Sequence, residues 1–139
     1  MSQLERIGVS LDKNLLSRFD MLITDQGYPN RSEAIRDLIR RCLCEQELEK
    51  PTAKAIAGVF LVYDHHAAGL SKKMLEMQHH NLLQTVSSLH VHLDHENCLE
   101  IVVLKGKVKD ITRVSDKLTS LKGVKLSRVN LLALGDKGD

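Results

Sequence analysis

The chain has 139 residues, of which 42% are hydrophobic and 27% charged, with only 2 Pro; this balance excludes a disordered or fibrous protein and allows one ordinary domain or two very small ones. No apolar run approaches the roughly 18 residues that cross a bilayer, and the opening MSQLERIGVS lacks the basic start and apolar stretch of a signal peptide, so a cytoplasmic protein with no membrane partner is expected. The formal charge of +2, with eight Lys/Arg against nine Asp/Glu in residues 1–50, excludes nucleic-acid binding by bulk charge and leaves only recognition by a few placed basic groups.

Residues 5–11 alternate Ile7, Val9 and Leu11 with polar or small residues, the period of a strand with one buried face. Asp12 is placed to cap a helix carrying Leu15, Leu16, Phe19, Leu22 and Ile23 at helical spacing, and Gly27 is placed to end it. Asn30 with Glu33 three residues on, a variant of the capping box, opens a second helix whose buried stripe is expected at Ile35, Leu38, Ile39 and Leu43. The polar stretch 45–54, EQELEKPTAK, contains Pro51 and loses the periodicity, which divides the chain into units at 1–48 and 55–135. The second unit reads as strand 56–64, helix 68–84, strand 87–94, strand 98–105, helix 108–121 and strand 124–133, with 94–97 as a hairpin turn. That βαββαβ order is the ferredoxin-like arrangement, an α+β fold with both helices on one face of an antiparallel sheet and the other face open to a partner. The first unit, one strand and two helices in about 45 residues, is too small to bury its stripe alone. It is expected to pair with a second copy, two strands forming an antiparallel ribbon over four helices.

His90 and His92 stand two apart in SLHVHLDHENCLE, so on a strand both imidazoles leave the same face. Cys98 opens the return strand and adds a soft, anionic ligand to them. A hairpin with three ligands leaves a position unfilled, and His79 and His80, at the end of the helical MLEMQHH, are the nearest candidates for it. Three nitrogens and one thiolate suit tetrahedral Zn(II) or square-planar Cu(II) or Ni(II), and composition does not choose among them. His95 in the turn and His65-His66 after the first strand of this unit read first as solvated loop histidines and second as a secondary, low-affinity metal site. Cys42 and Cys44, two apart on a helix, diverge by about 200° and read as structural. Three cysteines in a chain with no secretory features point away from a disulfide framework.

Over essentially its whole length the chain resembles the nickel-responsive regulators, NikR, through NRSEAIRDLIR in the first unit, QHH at 78–80, SLHVHLDHENCLEIVVLKG at 88–106 and LKGV at 121–124. The resemblance implies a ribbon-helix-helix DNA-binding domain joined to an ACT-like regulatory domain, assembled as a homotetramer with a central metal-binding core. It places the square-planar ligands of one Ni(II) per subunit on His90, His92 and Cys98 of one subunit and on His79 of another. It further implies that nickel strengthens operator binding and represses nickel uptake, the output of a transcription regulator and not of an enzyme.

In a paired ribbon Arg6, Gly8 and Ser10 share the outward face and enter the major groove of double-stranded operator DNA. Arg6 is the principal base reader, Ser10 is permissive, and Gly8 has no side chain to read with where the family usually carries Ser or Thr. The helix start at Asn30 and Arg31 can hold a phosphate, with Arg31 and Arg36 as further contacts. The resemblance also implies a second site, for a hard cation such as K+, using Glu33 and Asp37. Ala67 and Ala68 stand where family members can carry basic residues, which removes phosphate contacts from that loop.

Two other classes compete with the sensor. A zinc metalloenzyme would use the His90, His92 and Cys98 set with Glu96 or Glu100 as a base, but no catalytic signature accompanies it. A ribbon-helix-helix regulator sensing another metal, binding an amino acid or acting as an antitoxin is the other; DHHAAG stands where a Gly-rich ligand loop would be expected.

Overall fold

The structure, a computed structural model of the single chain, describes residues 3–67, 69–80 and 84–135. It contains two compact units, Met1–Cys42 and Leu43–Asp139. Among the described residues no helix is long and apolar enough to cross a membrane.

In the first unit, α1 (Lys13–Asp25) starts where Asp12 Oδ1 accepts the backbone N–H of Leu15 at 3.0 Å. It stops in a Schellman turn, with Gly27 at φ +82° and the N–H groups of Gly27 and Tyr28 donating to the carbonyls of Thr24 and Ile23. Helix α2 (Arg31–Leu48) is opened by Asn30, whose Oδ1 accepts the N–H of Glu33 at 3.0 Å. Both caps are the expected residues. The expected strand at 5–11 carries no secondary structure within one chain, and Ile7, Val9 and Leu11 are exposed. A strand satisfies its backbone by pairing, and no described strand of the same chain pairs with this segment. The stripe expected to be buried is open for a related reason: Leu22, Ile35, Leu38, Ile39 and Leu43 are exposed, and only Ile23 and Ala34 are buried in α1 and α2.

The division between units falls inside α2, ahead of the polar stretch 45–54, whose first residues are helical. The reason lies in the second unit, where Leu48 packs against the core and the Cys44 thiol accepts the N–H of Ala133 at 3.3 Å.

The second unit runs β1 (Lys54–Asp64), α3 (Leu70–His80), β2 (Thr85–His92), β3 (Asn97–Lys107), α4 (Val108–Thr119) and β4 (Val124–Ala133). Its antiparallel sheet has the order β2-β3-β1-β4, the ferredoxin-like order. The expected helix 68–84 is described only over Leu70–His80; Ala68 and the side chain of His80 lie outside the described residues.

Alternation along β1 and β3 creates the core. Ala55, Ala57, Val59, Leu61 and Tyr63 lie opposite Cys98, Val102 and Leu104 on one face and meet Leu70 and Met74 of α3 and Ile111, Val114 and Leu118 of α4. The α4 residues are spaced i, i+3, i+7, one stripe of a helix. On the other face Phe60, Leu89, Leu126 and Leu132 are exposed, an apolar sheet surface that no described element of the second unit covers.

Candidate metal centre

Register puts His92 opposite Cys98 and His90 opposite Glu100, so all four share the helix-bearing face of the sheet. On β3 Cys98 and Glu100 are buried in that face, while His90 and His92, on the edge strand β2, are exposed. The hairpin is held by Asp94, whose Oδ1 accepts the N–H groups of Glu96 and Asn97 at 2.8 Å each. These bonds, with that from the Asn97 amide first, hold the Asp94 carboxyl below the usual carboxylate range.

His92 Nδ1 lies 3.4 Å from Cys98 Sγ, and the His90 and His92 rings have centroids 4.9 Å apart. His90 is turned by two neighbours. Its Nδ1 is 2.8 Å from Glu100 Oε2 and 3.1 Å from the Tyr63 hydroxyl, which also donates to Glu100 at 3.4 Å. With Nδ1 engaged by a carboxylate, Nε2 is the nitrogen left for an ion, the usual arrangement behind a metal-bound imidazole. Glu100 and Tyr63 are therefore orienting groups, and the alternation that gave His90 a partner on β3 could have found Glu100.

His65 joins the group from outside the hairpin. Its ring is exposed, as a loop histidine should be, but its Nδ1 is 3.4 Å from Cys98 Sγ, and its ring centroid is 5.1 Å from that of His92. The ligand atoms of His65, His92 and Cys98 all lie within 4.8 Å of one another. Pairing of Asp64 with Asn97 delivers it there, and the His65 N–H donates to the Glu96 carbonyl at 2.6 Å. His66 turns away, its Nε2 lying 3.1 Å from the His95 carbonyl oxygen. His79 stands on α3 with an exposed side chain, outside this group.

Burial, then the charges of Glu100, Asp94 and Asp64, pushes the Cys98 thiol up. The same carboxylates favour a cation beside the sulfur. Imidazoles flanking a buried thiol, with acidic groups behind, form a donor set that fits a borderline divalent ion such as Ni(II) or Zn(II).

In the first unit Arg6, Gly8 and Ser10 are exposed, as are Asn30 and Arg36. Arg31 is engaged: its Nε and Nη2 donate to the two oxygens of Asp20 at 2.8 and 2.7 Å, tying α2 to α1. Its guanidinium holds the Asp20 carboxyl below the usual range, chiefly through the hydrogen bond. Asp37 is engaged as well, accepting from the Tyr28 hydroxyl at 2.8 Å and from Arg40 at 3.2 Å, whereas Glu33 is exposed.

Residues 56–132 match the family model for the NikR C-terminal nickel-binding domain, and residues 5–43 match that for ribbon-helix-helix proteins of the copG family. Putative nickel-responsive regulators are similar along almost the whole chain. That of Solibacter usitatus (strain Ellin6076) is 49% identical over 97% of both chains, and that of Geobacter sulfurreducens (strain ATCC 51573 / DSM 12127 / PCA) 45% identical over 99% of both. The protein of that description from Nitratidesulfovibrio vulgaris (strain DSM 19637 / Miyazaki F) is 49% identical over 97% of both.

Proposed function

Because the chain belongs to the NikR family of nickel-responsive ribbon-helix-helix regulators, and so to no enzyme class, we propose that it is a homotetrameric repressor of nickel-uptake genes. In this reading His90, His92 and Cys98 of one subunit and His79 of another hold one Ni(II) per subunit in a square plane. The observation that carries it is the hairpin register, which sets His90 and His92 on the face shared with Cys98 and backs His90 with Glu100. The uncovered apolar sheet face, with Phe60, Leu126 and Leu132, supports assembly of several copies.

Ligands drawn from two subunits act as a clasp. An ion held by His79 across an interface binds the aligned assembly better than separated or misaligned subunits, and shifts the population by that difference in affinity. Paired segments 5–11 then present Arg6 and Ser10 to base edges, and the open start of α2 at Asn30, with Arg36, takes a phosphate. Arg31 contributes by bracing α1 against α2 through Asp20.

Titration of Ni(II) into metal-free protein tests the site. A thiolate-to-nickel charge-transfer band is expected, abolished by Cys98→Ala and shifted or abolished by His79→Ala; a band indifferent to both substitutions overturns the ligand set. Nickel-dependent retardation of promoter DNA tests the output. Arg6→Ala should abolish specific retardation and leave the nickel band intact, whereas retained operator specificity would refute the ribbon reading.

A further inference from the structure

The three donor atoms that one chain already brings together are not the three that the nickel reading uses. Cys98 Sγ has His65 Nδ1 and His92 Nδ1 each at 3.4 Å, while the His90 Nδ1 is held by Glu100 and Tyr63. Two structural features hold His65 in place. The register of β1 against β3 carries the chain past Asp64 to the start of β3, and the loop is then pinned by the His65 N–H on Glu96 and by His66 against the His95 carbonyl. His65 and His92 are both exposed while Cys98 is buried, so a fourth position on this group faces water.

The spacing is within the reach of one ion. With metal–sulfur bonds of about 2.3 Å and metal–nitrogen bonds of about 2.0–2.1 Å, a sulfur-to-nitrogen edge is roughly 3.6 Å in a tetrahedron and roughly 3.1 Å at right angles. Both observed edges are 3.4 Å, between these two values and also an ordinary nitrogen–sulfur hydrogen-bond separation, so the donor types and not the spacing choose the geometry. Two imidazoles, one thiolate and one water make a tetrahedral set that suits Zn(II), an ion with no geometric preference from its d electrons.

We propose that His65, His92 and Cys98 form a second metal site, contained in one chain and tetrahedral, that takes Zn(II) and excludes the four-ligand nickel site because both require His92 and Cys98. Cys98 gives its proton to solvent when the ion enters. The exchange of His65 for His90 switches the hairpin from a site contained in one chain to one that needs a partner. The proposal deepens the nickel reading and shares two ligands with it, but not its distinguishing residues, His90 and His79.

Co(II), whose tetrahedral thiolate complexes have intense visible bands, is the probe. Full-length metal-free protein should develop these bands, and Zn(II) should erase them. His65→Ala should lose them and keep the nickel charge-transfer band; His90→Ala should do the reverse; His95→Ala, which keeps the backbone carbonyl that His66 meets and leaves all three donors in place, should change neither. Nickel added to zinc-loaded protein should release one zinc for each nickel bound. Cobalt bands unchanged in His65→Ala, or absent from the wild type, would overturn the second site, and retention of both ions on one subunit would overturn the exclusion. Loss of the nickel assignment alone would show as a nickel band that His90→Ala leaves intact while the cobalt bands still depend on His65.

Discussion

Glu100 is buried among apolar neighbours and touches His90 and Tyr63, so its carboxylate is committed to orienting one imidazole. Partners of this kind fix the tautomer and aim of a metal-bound histidine. Glu100→Ala is expected to weaken nickel binding by about 10–100-fold while preserving the secondary structure, as read by competition with a chelator. Tyr63→Phe removes one of the two contacts to His90 Nδ1 and should weaken it less. At this scale the spacing of His90, His92 and Cys98 was enough to nominate ligands, because alternation on a strand is a local rule. It could not join His65 to Cys98, since that approach spans 33 residues and depends on which strands are neighbours.

Among the elements, the 94–97 turn and the α1–α2 link carry separate consequences. Asp94→Ala removes the acceptor for two backbone N–H groups, and amide exchange in 93–97 should quicken, with a looser His92–Cys98 pair and weaker metal binding. The Asp20–Arg31 pair is exposed, so its contribution is small and screened by salt. Its sign is nonetheless defined. The folded Asp20 carboxyl lies below its usual value, so the link stabilises the unit above the ordinary carboxylate range and is lost as pH falls through the lowered folded value. The difference in melting temperature between wild type and Asp20→Asn should therefore be present at neutral pH and vanish in acid. The helix ends were legible from Asp12, Gly27 and Asn30 because capping is decided within a few residues.

At the scale of the molecule, the two units differ in self-sufficiency. The second has a core of its own, and Leu118→Ala, at a fully buried position on α4, should cost about 2–5 kcal/mol, read from denaturant unfolding of metal-free protein. The first leaves its stripe exposed, so its stability should rise with protein concentration, as expected where folding and association are linked. Nickel should raise the melting temperature further in the wild type than in His79→Ala, since a ligand that binds only the assembled state stabilises it by mass action.

By itself the sequence determined what depends on near neighbours: the periods of helices and strands, the caps, the βαββαβ order, and the His-x-His and Cys pattern that resembles the NikR family. Tertiary structure alone decided what depends on distant pairing. The β2-β3-β1-β4 order brought the end of β1 beside the start of β3, placed His65 against Cys98, and gave His90 to Glu100 and Tyr63. The physical reason is that a strand declares its period through adjacent side chains, whereas its neighbour is chosen by how the whole sheet buries its apolar face.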